Sequence, residues 1–173
     1  MAALCTNAML LLAHPTGNTF SRAAALSFLD AGWLQEFHSC VCWNPSSPLA
    51  RLLPTALAAQ LNRRSFADLP LPLQRSHPRR ELLRLAGVPR HLPWLGRHEH
   101  GPLSIDATYR SFDRHVAARL PRLQRLQAVY AYEDGALHTF QAAERLGLRC
   151  IYDLPIGYWR SAQQIFQEER ELQ

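Results

Sequence analysis

A short turn that joins an apolar run to a helix-forming run most narrowly limits what this chain can fold into. Ala8-Met9-Leu10-Leu11-Leu12-Ala13 is apolar on both alternations, a pattern expected of a strand covered on both faces. After His14-Pro15-Thr16-Gly17-Asn18 the sequence is rich in Ala, Leu and Phe from Thr19 to Ala31, and Gly32 follows. Asn18 suits an N-cap, because its side-chain oxygen can accept an amide hydrogen that the first helical turn leaves unpaired. Gly32 suits the residue just past a helix, where the backbone turns left-handed. A buried strand feeding directly into a helix is the building unit of an α/β fold. In open α/β sheets ligands bind at the carboxyl ends of the strands, so the turn is itself a candidate site.

Two further units repeat the pattern. Ala128-Val129-Tyr130-Ala131-Tyr132 reads as a strand, followed by Glu133-Asp134-Gly135 and a helix reaching Leu146. Asp134 is the expected cap of that helix and Gly147 its stop, while Leu137, Phe140, Ala143 and Leu146 form its buried face. Residues 150–154 read as another strand, followed by the turn Pro155-Ile156-Gly157 and a polar helix from about Tyr158. The near-continuous apolar character around 130 and 150 predicts parallel strands covered by helices on both faces. Residues 36–43 predict a second strand. Ile105, Tyr109, Phe112, Val116, Leu120 and Leu123 recur at helical spacing behind Ser104, a helix cap, at least as far as Pro121. The intervening residues 44–102 are punctuated by proline, with short helical pieces at 49–53 and 79–85. They read as an insertion that packs on the sheet or rims its edge. With right-handed crossovers, residues 1–173 are expected to form one Rossmann-like three-layer α/β domain with a parallel sheet.

Composition agrees with a single domain: 173 residues can bury a substantial core. The formal net charge of +5 comes from 19 basic side chains, all arginine. They are scattered, with no aromatic-interleaved basic stripe, so nucleic acid is not an expected partner. No apolar run approaches the roughly 20 residues that span a bilayer, and no basic region precedes the first apolar stretch. The expected location is cytoplasmic, with at most peripheral contact at the inner membrane face. Cys5, Cys40, Cys42 and Cys150 contain no C-x-x-C spacing and read as buried or half-buried free thiols.

The first turn lacks the G-x-G-x-x-G dinucleotide signature, and a chain without lysine cannot carry a Walker A motif. What remains is Gly17, which either lets a ligand approach the backbone or serves a structural tight turn. The helix N-terminus beside it favours an anionic or hydroxyl-rich group. Glu133 and Asp134, directly after a strand, are candidate general bases toward a hydroxyl. In Gly157-Tyr158-Trp159-Arg160 the aromatic faces can stack on a sugar ring and the arginine can pair with phosphate; core packing is the alternative. His91, His98 and His100 match no metal-binding spacing and read as loop residues. His38, His77, His115 and His138 read as isolated, at the surface or partly buried.

Three segments taken together, L-L-L-A-H-P-T-G-N, V-Y-A-Y-E-D-G-A-L and I-Y-D-L-P-I-G-Y-W-R, resemble the N-terminal domain of family 4 glycosyltransferases with the GT-B fold. The resemblance spans nearly the whole chain. It implies a retaining enzyme that moves a sugar from a nucleotide-sugar donor to a sugar or lipid-linked acceptor, with no metal or other cofactor. It implies that His14, Thr16, Gly17 and Asn18 approach the donor diphosphate or the acceptor. It also implies that Tyr132, Glu133 and Asp134 lie near the reacting hydroxyl, with Gly157, Tyr158 and Arg160 on the same edge. Members often have a histidine where this chain has Tyr132, and two glycines where it has Thr16-Gly17. The family's donor-binding domain carries two glutamates separated by seven residues, and no pair here has that spacing. The chain is therefore expected to be an acceptor-side half, inactive alone, that needs a separate donor-binding domain. A non-catalytic α/β binding module and half of a GT-B sugar epimerase remain alternatives.

Overall fold

The computed structural model describes residues 9–154 and 159–171. Five strands form one parallel sheet in the order β3-β2-β1-β4-β5. They are β1 (Met9–Ala13), β2 (Leu34–Ser39), β3 (Gln74–Ser76), β4 (Leu126–Tyr132) and β5 (Arg149–Asp153). The α-helices are α1 (Thr19–Asp30), α2 (Thr55–Asn62), α3 (Arg79–Leu85), α4 (Val88–His91), α5 (Ile105–Arg119), α6 (Leu137–Arg145) and α7 (Trp159–Glu171). This is a Rossmann-like α/β arrangement, and the strand order reverses between β1 and β4. Among the described residues no helix is long and apolar enough to cross a membrane.

Strand β1 explains the layering. Leu10 and Leu12 join one buried cluster with Ala25 of α1, Phe37, Phe66 and Tyr132. Leu11 and Ala13 join the other with Phe112 and Val116 of α5, Val129 and Ala143 of α6. Both alternations are thus consumed, as an apolar central strand requires. Burying side chains of this size is worth roughly 1.5–3 kcal/mol each. The helix signals of α1 act locally as expected: Asn18 Oδ1 accepts the Ser21 amide at 2.8 Å, and Gly32 leaves the helix at φ +70°. Ser104 Oγ likewise accepts the Ala107 amide at 3.0 Å to start α5.

The structure departs from expectation in six places, one being that Leu137 and Leu146, read as part of the buried face of α6, are 66% and 45% exposed. Strand β2 stops at Ser39 rather than Trp43, because the Cys40 amide turns away to donate to the Pro15 carbonyl. The proline-rich insertion supplies β3, whose three residues pair with Phe37, His38 and Ser39. Asp134 does not occupy the cap position of α6, where Ala136 stands without a side-chain cap. Instead the Asp113 carboxylate of α5 accepts the His138 and Thr139 amides at 2.7 and 2.9 Å, satisfying from a neighbouring helix the donors that a local cap would take. Strand β5 is an edge strand with Ile151 and Tyr152 exposed, not one covered on both faces. Cys150 on it is exposed as well, whereas Cys40 is buried and Cys42 half-buried.

The insertion is tied down by arginines. Arg22 of α1 lies 4.2 Å above the Phe66 ring and donates to the Arg63 carbonyl at 2.8 Å and to the Ser65 carbonyl. Fully buried Glu81 of α3 holds Arg64 at 2.7 Å and Arg84 at 2.8 Å.

Candidate functional site

The order reversal places the turn after β1 beside the loop after β4. His14 is fixed from within its own turn. Its Nδ1 accepts the amides of Thr16 and Gly17 at 3.2 and 2.7 Å, so in the neutral ring the proton sits on Nε2, a donor. Burial holds the His14 pKa down at about 4, with the Asp153 charge and a backbone hydrogen bond offsetting it only in part. Two of the amides that an anion could use, those of Thr16 and Gly17, are thus already bonded to His14.

Gly17 adopts φ +66°, and an added Cβ there would overlap the Phe66 ring. The room beside this glycine is held by a core aromatic, 2% exposed, which supports the tight-turn reading. Gly17→Ala combines a left-handed backbone with overpacking, and should cost about 2–3 kcal/mol. A urea-unfolding midpoint close to that of the parent would refute this account of the turn.

The His14 ring meets Tyr132 edge-on at 4.6 Å, and Tyr132 meets Tyr130 at 5.7 Å. Tyr130 donates to Asp153, at the carboxyl end of β5, at 2.6 Å. Burial and that bond push the Tyr130 phenol up to about 12. Burial, then the neighbouring Tyr130 and Asp153, push the Tyr132 phenol up too. The Tyr132 hydroxyl is buried beside the Tyr130 hydroxyl and the Asp153 carboxylate, and makes no well-formed hydrogen bond to a described residue.

Glu133 follows Tyr132 and lines a different recess. With Phe140, Cys150 and Tyr152 it borders a groove of about 770 Å³ between α6 and β5. Asp134 lies in the short 3₁₀ turn Glu133–Gly135. Thr16 and Asn18 are half-buried in the turn. Arg160 is exposed in the first turn of α7. Gly157 and Tyr158 lie outside the described residues. His91 is exposed at the end of α4 rather than in a loop, and His98 and His100 are exposed in the turn further on.

The histidines read as isolated are the clearest correction. His38 lies in β2, His77 just after β3 and His115 in α5, and the fold brings them together. His38 Nδ1 is 3.1 Å from His77 Nε2, and the His77 and His115 ring centroids are 5.1 Å apart. His38 Nε2 is 2.9 Å from Glu36 Oε2. Arg119 reaches Glu36 at 2.6 and 3.0 Å, and Arg75 at 2.9 Å. Burial works to raise the Glu36 pKa, but hydrogen bonds from His38 and Arg119 and the nearby positive charges bring it down to about 2. Burial lowers His38, more than Glu36 raises it. Burial also lowers His77 to about 4, helped by His38 and His115. The signal in sequence was Glu36-x-His38, two polar residues on one face of a strand in an otherwise apolar sheet.

Comparison of the chain with protein-family models, with curated proteins and with solved structures finds no match.

Proposed function

We propose that the chain is the acceptor-side domain of a retaining, nucleotide-sugar-dependent glycosyltransferase of family 4. The observation that carries this reading is the meeting of the His14 turn and the Tyr132 loop at the β1/β4 reversal, the place where α/β sheets bind ligands. His14 Nε2–H supplies a fixed donor there, and the Tyr132 hydroxyl, grouped with Tyr130 and Asp153, supplies a second polar group for an acceptor sugar. Because His14 occupies the Thr16 and Gly17 amides, the donor diphosphate is assigned to a separate donor-binding domain. Transfer then takes place in the cytoplasm, with an acceptor that is a free sugar or a lipid-linked one at the membrane face.

The test joins two measurements. Saturation-transfer NMR with a panel of glycan acceptors reads binding by the chain itself. Labelled nucleotide sugars read transfer by the chain alone and joined to a family 4 donor-binding domain. Acceptor binding, with transfer only in the joined protein, is expected. Turnover by the chain alone would refute the division of labour, and a correctly folded joined protein without transfer would refute the transferase reading. Tyr132→Phe keeps the ring against His14 and should leave stability within about 1 kcal/mol of the parent, and it should weaken acceptor binding about tenfold. Unchanged acceptor affinity in that variant would remove Tyr132 from the site.

A further inference from the structure

A cavity on the α5 side of β2 and β3 plays no part in the transferase reading. It measures about 440 Å³ and is lined by Ser76, His77, Arg79, Arg80, Ser111 and His115, among others. Among the described residues its lining includes two guanidinium groups and no carboxylate. Arg79 is exposed and makes no hydrogen bond or ion pair with any described residue. Arg80 donates one N–H to the Pro102 carbonyl and keeps four others. His115 is oriented by its Nδ1, which donates to the Ser111 carbonyl at 2.6 Å.

Proton positions along the buried chain follow from its chemistry. Ionised Glu36 can only accept, so His38 carries its proton on Nε2 and donates it at 2.9 Å. Neutral His38 then accepts at Nδ1, so His77 carries its proton on Nε2. His77 Nδ1 is left as a lone pair. It has no partner among the described residues, yet it is not one of the buried unpaired atoms, so it is open to solvent. A hydrogen-bonded chain ending on a carboxylate polarises its last imidazole and strengthens it as an acceptor. Among the described residues no three His, Cys, Asp or Glu side chains stand in a metal-holding arrangement.

We propose that this cavity binds a hydroxylated phosphomonoester, with Arg79 and Arg80 holding the phosphate and His77 Nδ1 accepting a hydroxyl hydrogen. The shared chemistry covers a soluble sugar phosphate and the phosphorylated headgroup of a lipid. Arginine suits the phosphate because its fork of donors matches the oxygens. The cavity is separate from the His14–Tyr132 site. It lies on the face of the sheet covered by α5, whereas Tyr132 packs in the cluster on the opposite face with Ala25 of α1. The proposal therefore stands or falls independently of sugar transfer.

Long-range ¹H–¹⁵N spectra of the full chain, labelled at histidine, read the site at neutral pH. Glucose 6-phosphate is expected to shift the His77 and His115 ring signals saturably, and inorganic phosphate, lacking the hydroxyls, more weakly. Arg79→Ala should weaken glucose 6-phosphate about tenfold or more while leaving the His38 signals in place as evidence of an intact fold. Arg79→Gln, which keeps the length and loses the charge, should weaken it similarly. Co-sedimentation with phosphatidylcholine vesicles, with and without phosphatidylinositol 4-phosphate, separates the two sources. Sedimentation only with the phosphoinositide, lost in Arg79→Ala, assigns a lipid headgroup; a soluble response alone assigns a free sugar phosphate. No response in either arm, or a response unchanged by both Arg79 substitutions, overturns the proposal.

Discussion

Replacing Glu36 by alanine should lower stability by about 3 kcal/mol or more, the range seen when one partner is removed from a buried ion pair. Glu36 is 3% exposed, and its two oxygens serve His38, Arg75 and Arg119 at once. The two arginine side chains are 38% and 32% exposed and can turn toward water. His38 is fully buried and cannot, so its Nε2–H is left without an acceptor. Glu36→Gln keeps the shape and part of the hydrogen bonding, and should cost less than alanine. Urea unfolding at neutral pH measures both. With a slope of about 1–3 kcal/mol per molar expected for urea, the alanine midpoint should move by about 1 M or more. Midpoints within experimental scatter of the parent would show that the network contributes no net stability.

Stability should also decline as the pH falls from about 6.5 toward 4. His14 and His77 each have a folded pKa of about 4 against an ordinary 6.5. Above 6.5 neither state holds the extra proton. Between 6.5 and 4 the unfolded chain takes up protons that the folded chain refuses, so folding is progressively disfavoured; below 4 the penalty levels off. Both rings are partly exposed, and with that screening each contributes about 1–2 kcal/mol rather than the full value of its shift. Glu36 acts in the same direction at lower pH. Its folded pKa is lowered from 4.5 to about 2, so it stabilises the fold above 4.5 and that contribution is lost toward 2. Two successive losses are therefore expected on acidification, the first from histidine and the second from the carboxylate. Urea midpoints measured from neutral pH to 4 trace the first. His14→Asn, which keeps an acceptor for the Thr16 and Gly17 amides but does not titrate, should flatten it. A flat profile from neutrality to 4.5, or an undiminished slope in that variant, would contradict the buried neutral histidines.

The apolar run of β1, the Asn18 and Ser104 caps and the Gly32 stop were readable because each is a local matter. A cap needs only the amide three residues on, and an apolar strand states by its own alternation that both faces will be covered. From such units, joined by right-handed crossovers, the parallel Rossmann-like sheet follows. Strand β3 was not readable, because Gln74-Arg75-Ser76 has no alternation of its own and becomes a strand only beside β2. The exposure of β5 was hidden for the converse reason: its apolar composition matches a covered strand, and its position at the sheet edge is decided by assembly. Asp113 could not be read as the cap of α6 from across 25 residues.

The chemistry divides along the same line. Which strand ends carry polar turns, and so the His14 and Tyr132 loops, could be read along the chain, because the loop follows its strand. The meetings of His38 with His77 across 39 residues and of Arg119 with Glu36 across 83 come from packing alone. Hydrophobic periodicity encodes which face of an element is buried, and it does not encode which polar side chains meet when two such faces pack.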